Sequence, residues 1–414
     1  MNLIENEKVI SLVKNTLNTM DTSLVEHGHR VAYMVEQILK YSGLYDGEEL
    51  RNLVLACLIH DIGAYKTEDP QKILEFELDD ATRHAIYGYL FLKNMSPLKE
   101  YADIIRYHHT DYNTVCEVCP KYAFIINLLQ VCDRIDVLFL SYDIADAKKY
   151  FLENEADGFD RGIVDLFFKA DEKCGFLERI YEKKDVPPIK SLREHPFDEK
   201  DCHSFLFMMS CSIDFRSEFM VSHTITTTSI ARKLAILCGL SEDEVEKVYF
   251  GALLHDIGKV KIPVTILDFP GKLSDRDMDI MRSHVVHSMD ILDGCVSEDI
   301  RQIAVRHHEK LNGKGYPLGL DEKDLNTSER IVAIADILSA LVGKRSYKEA
   351  FDSDRIKNIL SSMAHNNELD NGIVSIACNK FDEIIEYITK ETAPVIEMYD
   401  RVKKEFEEIL LLGA

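Results

Sequence analysis

Apolar residues recur along this chain with the period of an α-helix, and they do not alternate for long as they would in a strand. One buried stripe at the spacing i, i+3, i+4, i+7 is formed by Val31, Met34, Val35, Ile38 and Leu39. His27 lies four residues before Val31 and therefore shares that face. We predict an all-α protein.

The helical pattern restarts in the second half of the chain. Helices are predicted to begin at Asp46 and at Ser241, each followed three residues later by a glutamate, as in a capping box. The first helix leads into His60-Asp61-Ile62-Gly63 and the second into His255-Asp256-Ile257-Gly258. Gly63 is a predicted helix stop.

Histidines and aspartates recur in one order in both halves. His27 and His60 are 33 residues apart, and His223 and His255 are 32 apart. Likewise His84 and His108 are 24 residues apart, and His284 and His307 are 23 apart. Such a repeat of roughly 200 residues indicates a domain duplication, since solenoid repeats are far shorter. The first set is His27, His60, Asp61, His84, His108, His109 and Asp133, and the second is His223, His255, Asp256, His284, His307, His308 and Asp336.

The composition changes between the halves, where Pro187, Pro188 and Pro196 stand among charged residues. We therefore predict a first domain at 1–185, a linker at 186–202 and a second domain at 203–414. The run 388–412 is predicted to be an amphipathic helix packed on the second domain or in a dimer contact.

Each half supplies five histidines and two aspartates, enough imidazole nitrogens and carboxylate oxygens to hold two divalent metals. Taken singly, a histidine on an apolar helix face is more often a hydrogen-bonded core residue. Seven ligand-type residues recurring in one order are harder to explain by packing. An aspartate directly after a histidine can bridge two ions, and a two-metal centre suits phosphoester cleavage because it activates water and binds phosphate oxygens.

The formal charge of -23 argues against a nucleic-acid polymer or an anionic membrane as partner, since both need a basic footprint. A small anion held on metal ions stays compatible with it. The ten cysteines stand mostly alone within apolar runs and are expected to be free thiols. No run of eighteen apolar residues occurs, so we expect a soluble, cytoplasmic protein.

The ligand set of the second half resembles the HD superfamily of metal-dependent phosphohydrolases. Two further segments are similar to the HD-GYP subfamily, which linearises cyclic dinucleotides such as cyclic di-GMP and 3′,3′-cGAMP. They are His255-Asp256-Ile257-Gly258-Lys259, and His307-His308-Glu309 followed by Asn312-Gly313-Lys314-Gly315-Tyr316-Pro317. The resemblance covers about residues 200 to 390.

The resemblance implies a role for each of these residues. One metal would be held by His223, His255, Asp256 and Asp336, and a second by Asp256, His284, His307 and His308. The usual metal of the family is iron, sometimes manganese. Asp256 and Lys259 would be catalytic. Lys259, Arg345 and Lys348 would contact the substrate phosphates and Tyr316 the nucleotide, within a loop shaped by Gly313 and Gly315.

Two departures from the family pattern matter. Phe219 stands where some members carry a glutamate that helps to bind a third metal, so two metals are expected. Asn312 replaces the usual aspartate of the loop, and the glycines are kept.

The first half also resembles the HD superfamily and keeps all seven ligands, which implies a second metal centre. However, Ala64 stands in place of Lys259, and Tyr142 and Ala145 stand in place of Arg345 and Lys348. Residues 110–113 lack the Gly-Tyr-Pro loop. This pattern implies a regulatory or sensory metal domain, or a hydrolase for another substrate.

We therefore expect a metal-dependent phosphodiesterase that opens a cyclic dinucleotide to the linear form, with a first domain that regulates it. Two alternatives stay open. One is an HD-type phosphohydrolase of another nucleotide or phosphorylated metabolite, and the other is a cyclic-dinucleotide receptor without turnover. The residues leave open whether the chain forms a homodimer.

Overall fold

The computed structural model of the chain describes residues 8, 11–12, 15–16, 26–66, 78–139, 141–154, 158–217, 221–343 and 352–411. Helices dominate these residues and none of them lies in a strand; an isolated bridge joins Asn312 to Asp321. The predicted all-α fold is confirmed.

The chain divides into two compact units. One holds 20–208 with 404–414, and the other holds 1–19 with 209–403. We call them the first and the second unit, after the half of the chain that supplies most of each.

The first half of the chain contains nine α-helices among the described residues. A 3-10 helix Ile62–Lys66 follows α2, and another, Lys99–Tyr101, precedes α4. The α-helices are α1 His27–Ser42, α2 Gly47–Leu58, α3 Leu78–Met95, α4 Ala102–Arg106, α5 Tyr112–Val118, α6 Ala123–Leu138, α7 Ile144–Asn154, α8 Arg161–Cys174 and α9 Lys190–Glu194.

The second half repeats this order. A 3-10 helix Ile257–Lys261 follows α12, as Ile62–Lys66 follows α2. The α-helices are α10 Glu199–Asp214, α11 Val221–Leu237, α12 Glu242–Leu254, α13 Val264–Leu267, α14 Asp275–Arg282, α15 His284–Leu292, α16 Glu298–Val305, α17 Thr327–Val342, α18 Ser353–His365, α19 Asn371–Asn379 and α20 Phe381–Leu411.

The packing of the two units follows one plan. In the first unit α1 packs on α2 and α6, and α3 packs on α4 and on the 3-10 helix after α2. In the second unit α11 packs on α12 and α17, and α15 packs on α16 and on the 3-10 helix after α12. The predicted stripe of α1 is buried throughout, and so is its counterpart on α11, which includes Ile230 and Leu234. The duplication inferred from the spacing is therefore a duplication of helix packing.

Residues 186–202, for which the sequence predicts a linker, contain α9 and the start of α10 and belong to the first unit. The backbone N–H of Ser191 donates to the buried Glu36 at 2.6 Å, which ties α9 to α1. Arg51 donates to the carbonyls of His195 and Pro196 at 3.0 and 3.1 Å. These contacts hold the segment against the unit instead of leaving it extended.

The long helix α20 belongs to both units, with its residues from 404 onward counted in the first. Ile384 and Ile388 lie in the core of the second unit. Phe406 stacks on Tyr87 with ring centroids 3.9 Å apart.

Two local predictions need correction. Asp46 starts α2 but makes no side-chain capping bond, whereas Ser241 and Glu244 form the complete capping box. Gly63 does not end a helix in the left-handed conformation; it lies inside the 3-10 helix, where a β-carbon would meet the carbonyl oxygen of His84 at 1.9 Å. Its glycine identity serves close packing.

Within the described part of the chain, no helix is both long and apolar enough to span a membrane.

Candidate metal centres and substrate loop

The first unit brings its seven predicted ligands together from five places in the fold. His27 starts α1, His60 and Asp61 follow α2, His84 lies on α3, His108 and His109 follow α4, and Asp133 lies on α6. They form two groups whose ligand atoms lie within 4.8 Å of one another. One group is His27, His60 and Asp133, and the other is Asp61, His84, His108 and His109.

Asp61 lies between these two groups. Its Oδ2 is 3.4 Å from Nε2 of His60, and its Oδ1 is 3.4 Å from Nε2 of His84. One carboxylate therefore presents one oxygen to each group, as a residue that bridges two ions must.

The second unit repeats the arrangement with its own seven residues. His223 lies on α11, His255 and Asp256 follow α12, His284 starts α15, His307 and His308 follow α16, and Asp336 lies on α17. The groups within 4.8 Å are His223, His255 and Asp256, and His284, His307 and His308. Asp336 joins the first of them, since its Oδ1 is 3.0 Å from Nε2 of His223.

Asp256 faces both groups as Asp61 does. Its Oδ2 is 3.1 Å from Nε2 of His255, and its Oδ1 is 3.3 Å from Nε2 of His284. The two units therefore place a single carboxylate at the same point of the same cluster.

Backbone carbonyls orient the imidazoles in both units. Nδ1 of His255, His284 and His307 donates to the carbonyl three residues earlier at 2.6, 2.7 and 2.6 Å. His60 and His108 do the same at 2.9 and 2.6 Å. A proton on Nδ1 leaves Nε2 unprotonated, so its lone pair is free to bind a metal.

Buried nitrogens without a partner show that these clusters fit metal ions. Nε2 of His60 and Nε2 of His255 are buried and make no hydrogen bond in the protein. A buried polar atom without a partner is costly unless something else satisfies it. Imidazole nitrogens and carboxylate oxygens together suit divalent transition metals such as iron and manganese.

The two first histidines differ in their surroundings. Burial alone would lower the pKa of His27, but hydrogen bonds to Asp133 and Asp136 outweigh it and raise that pKa to about 10. Asp136 accepts from Nδ1 of His27 at 2.8 Å and from Arg30 at 2.6 Å, and Tyr181 donates to it as well. In the second unit the acceptor of His223 Nδ1 is the hydroxyl of Ser339 at 3.1 Å, a neutral group.

Burial keeps two imidazoles of the second centre neutral near pH 7, whereas at His255 the charge of Asp256 outweighs burial and raises the pKa. Burial lowers the pKa of His284 to about 3 and lowers that of His307 well below its usual value. Burial would raise the pKa of Asp256, but His255 and Lys259 hold it well below the usual range. Neutral imidazoles beside ionised carboxylates are the protonation states that bind metals.

Lys259 lies at the second centre, where its ammonium donates to Asp256 Oδ2. Burial would lower the pKa of Lys259, but Asp256 outweighs it and raises that pKa, so the group keeps its charge. At the matched place in the first unit Ala64 is buried and offers no charge.

A buried glutamate anchors the loop that follows His308. The carboxylate of Glu309 accepts from the backbone N–H of Leu318 at 2.7 Å and of Leu320 at 2.9 Å. A β-carbon on Gly315 would meet Cα of Glu309 at 2.4 Å, so the glycine lets the loop fold back on its own start. Gly313 adopts φ +72°, which glycine tolerates best.

Tyr316 is thereby held beside a predicted metal ligand. Its ring lies 4.7 Å from the ring of His308, and its backbone N–H donates to the carbonyl of His308 at 3.2 Å. Burial, with the carboxylates of Asp256 and Asp336, raises the pKa of Tyr316, so its hydroxyl stays protonated. The loop therefore offers a neutral aromatic ring at the mouth of the second centre.

At the matched place, the described residues of the first unit do not form such a loop. Residues 112–118 form α5 instead, with Asp111 as its N-cap. Tyr142 and Ala145 are exposed. Arg345, Lys348 and Phe219 lie outside the described residues.

Five further polar residues at these sites escaped the sequence analysis. Asp136 and Ser339 each stand three residues after the last aspartate of the set, so comparing the two repeats position by position would have found them. Arg30 and Tyr181, which hold Asp136, gave no signal in the sequence. Arg282 stands two residues before His284, and its guanidinium carbon lies 5.4 Å from the centre of the Tyr316 ring.

Comparison with known proteins agrees with this geometry. A family model described as an HD domain matches residues 24–138, and a second HD-domain model matches residues 208–373. Each match contains one complete ligand set.

Two curated relatives match most of the chain. It is 28% identical over 392 residues to the 3′3′-cGAMP-specific phosphodiesterase 1 of Vibrio cholerae serotype O1, covering 88% of this chain and 89% of that protein. It is 28% identical over 357 residues to a cyclic di-GMP phosphodiesterase of Thermotoga maritima, covering 80% of this chain and 94% of that protein.

A crystal structure shares the fold. It is that of a cyclic GMP-AMP-specific phosphodiesterase of V. cholerae, with a TM-score of 0.57 and 20% identity, covering 92% of this chain and 98% of the other.

Proposed function

The chain belongs to the HD-domain family of metal-dependent phosphodiesterases, with an HD-GYP domain as the second of two HD domains, and from this premise we propose its reaction. The second domain hydrolyses a cyclic dinucleotide, 3′,3′-cGAMP or cyclic di-GMP, to the linear dinucleotide. Relatives that act on each of these compounds support the substrate class.

One observation carries the proposal. The second unit gathers Lys259 and the Tyr316 loop around a complete set of seven ligands, whereas the first unit has the ligands alone. A bound metal pair would supply Lewis-acid stabilisation of the phosphate and lower the pKa of a water that attacks it.

The ligands would divide between two metals. His223, His255, Asp256 and Asp336 would hold one, and Asp256, His284, His307 and His308 the other. We propose iron, with manganese as the alternative, and a further centre built on the matched residues of the first unit. The orphaned Nε2 atoms of His255 and His60 support a metal in each unit.

The remaining residues of the second site act on the substrate. Lys259 keeps a positive charge beside Asp256, and it would neutralise charge that develops on the phosphate. Tyr316 offers its ring to a nucleobase, and Gly313 and Gly315 allow the loop to hold it there. Arg345 and Lys348 would bind phosphate oxygens.

The first domain would regulate the second, because it keeps a metal cradle and lacks Lys259 and the substrate loop. We propose the domain limits 1–185 and 203–414.

The ten free cysteines suit a reducing compartment, and we expect the protein in the cytoplasm. A homodimer stays a prediction.

The test is anaerobic purification with metal analysis, then incubation with 3′,3′-cGAMP and with cyclic di-GMP and chromatography of the products. We expect linear dinucleotide from at least one of them. A fully metallated protein that binds but does not cleave either compound would contradict the enzyme and favour a receptor. Cleavage of other phosphorylated nucleotides alone would favour a different phosphohydrolase.

A further inference from the structure

Arg282 occupies a fixed place at the mouth of the second centre. It is the last residue of α14, and its neighbour Met281 offers the carbonyl that accepts from Nδ1 of His284 at 2.7 Å. The backbone on one side of Arg282 is therefore tied to a residue of the metal cluster.

Its side chain and that of His308 both lie against the Tyr316 ring. The ring of His308 lies 4.7 Å from the ring of Tyr316, and the guanidinium carbon of Arg282 lies 5.4 Å from the centre of that Tyr316 ring. This is within the range of a cation–π interaction. The N–H groups lie in the plane of the guanidinium and stay able to donate.

The ion pair of Arg282 inside the protein is weak. Its Nη1 lies 4.0 Å from Asp279, at the limit of a salt bridge, and the two side chains are 54% and 80% exposed. A pair so exposed contributes little. The guanidinium is therefore available to a ligand at little cost.

The matched position of the first unit does not carry this cation. The residue two positions before His84 is Thr82, as Arg282 is two before His284, and the first unit has α5 in place of the Tyr316 loop. The first unit has an arginine one position later, Arg83, whose guanidinium carbon lies 5.6 Å from the centre of the Phe406 ring, so of the two arginines Arg282 is the one that lies on the tyrosine of the substrate loop.

A cyclic dinucleotide has two phosphodiesters, and in a protein of net charge -23 the one that does not lie at the metals gains from a cation in addition to Arg345 and Lys348. A guanidinium donates two parallel hydrogen bonds to a phosphate. Resting on the function proposed above, we propose that Arg282 is a substrate-binding residue that holds the phosphodiester that is not cleaved.

The experiment compares Arg282→Ala with Arg276→Ala in the full-length, metal-loaded protein. Arg276 is an exposed arginine six positions earlier on the same helix and serves as the matched control. For cyclic dinucleotide we expect the KM of Arg282→Ala to rise about tenfold, the loss of one charge-assisted contact, with kcat within about twofold. Arg282→Lys should recover part of the loss, because it keeps the charge without the fork.

A second substrate separates this role from a general one. Bis(p-nitrophenyl) phosphate has a single phosphodiester, so Arg282→Ala should cleave it as the wild type does. KM for cyclic dinucleotide should also become less sensitive to salt in this variant, since one charge pair is gone. An equal loss on the small diester, or a KM within about twofold of the wild type, would overturn the proposal.

Comparing the two cyclic dinucleotides shows whether Arg282 recognises a phosphate or a base. Contact with a phosphate predicts the same loss for 3′,3′-cGAMP and cyclic di-GMP, and a loss confined to cyclic di-GMP would replace our proposal by guanine recognition. If the wild type binds cyclic dinucleotide without cleaving it, the proposed reaction fails, and Arg282 is judged from dissociation constants measured by calorimetry. If the wild type does not bind it at all, both proposals fail.

Discussion

The two halves of this chain carry the same seven ligand-type residues in the same fold, but among the residues that the structure describes, only those of the second half surround the set with groups that could hold a substrate. In both units an aspartate faces two clusters, and backbone carbonyls three residues back orient the histidines. The differences lie at the rim of the clusters.

Four matched positions carry the difference. The second unit has a cation beside its bridging aspartate, a carboxylate that anchors the loop, an arginine at the mouth, and a neutral partner for its first histidine. The pairs, with the second unit first, are Lys259 and Ala64, Glu309 and Thr110, Arg282 and Thr82, and Ser339 and Asp136.

The metal ligands and the substrate-binding groups of this fold can therefore vary independently. The position of the metal ligands depends on main-chain hydrogen bonds and on close packing at Gly63 and Gly258. A β-carbon added to either glycine would lie 1.9 or 2.0 Å from a histidine carbonyl oxygen. The substrate-binding groups are side chains of one loop and single cations, and these can change without disturbing the helices.

The largest contrast is expected when one centre at a time is removed. His255→Ala with Asp256→Ala should lower cyclic-dinucleotide hydrolysis by roughly three orders of magnitude or more, the scale of losing a reacting group. His60→Ala with Asp61→Ala should change the rate by no more than about tenfold. The measurement is the rate of product formation, with metal content and circular dichroism as controls for folding. Complete loss of activity in a folded first-centre variant would place the chemistry in the first unit.

A smaller loss is expected from exchanging the cation for its counterpart. Lys259→Ala gives the second unit the residue of the first and should lower kcat about a hundredfold, because a preorganised charge at the phosphate is removed. Its metal content should stay unchanged. The reverse variant, Ala64→Lys, should gain no hydrolysis, since the loop is still missing. Unchanged kcat in Lys259→Ala would remove that residue from the reaction.

The pH dependence of metal binding should differ in the first centre. The pKa of His27 is raised to about 10, so its metal-free imidazole is protonated at pH 7, and binding at Nε2 must release that proton. Apparent affinity should therefore increase with pH, by at most about tenfold per unit, until pH approaches 10.

Chelator competition between pH 7 and 9 in His255→Ala with Asp256→Ala measures this dependence, because only the first centre is left there. Asp136→Ser should flatten it, because the serine takes away the carboxylate that accepts from His27. An affinity that stays constant over this range would show that His27 is not a ligand, or is not protonated in the metal-free protein.

The smallest effect is expected at the loop anchor. Glu309→Gln has one carbonyl oxygen for two backbone N–H groups, so the loop should loosen and KM should rise about three- to tenfold, with kcat nearly unchanged. Steady-state kinetics measures both constants. Glu298→Gln, at an exposed glutamate on α16, is the matched control. A fall in kcat alone would mean that Glu309 acts on the chemistry and not on the loop.

Local and periodic signals in the sequence predicted the fold class, the duplication and the difference between the two halves. The helical period fixed the all-α fold, and the recurrence of histidines such as His60 and His255 at nearly equal spacing revealed the duplication. The Gly-Tyr-Pro loop distinguished the second half from the first. These signals are local or periodic, so they can be read without knowing which helices pack against each other.

The contacts that hold the clusters became visible in the folded structure. It showed that Asp136 lies against His27 across 109 residues of chain, and that Arg282 reaches over Tyr316. It also assigned the segment predicted as a linker to the first unit. Contacts between distant segments arise from helix packing, and neither composition nor spacing encodes which side chains then face each other.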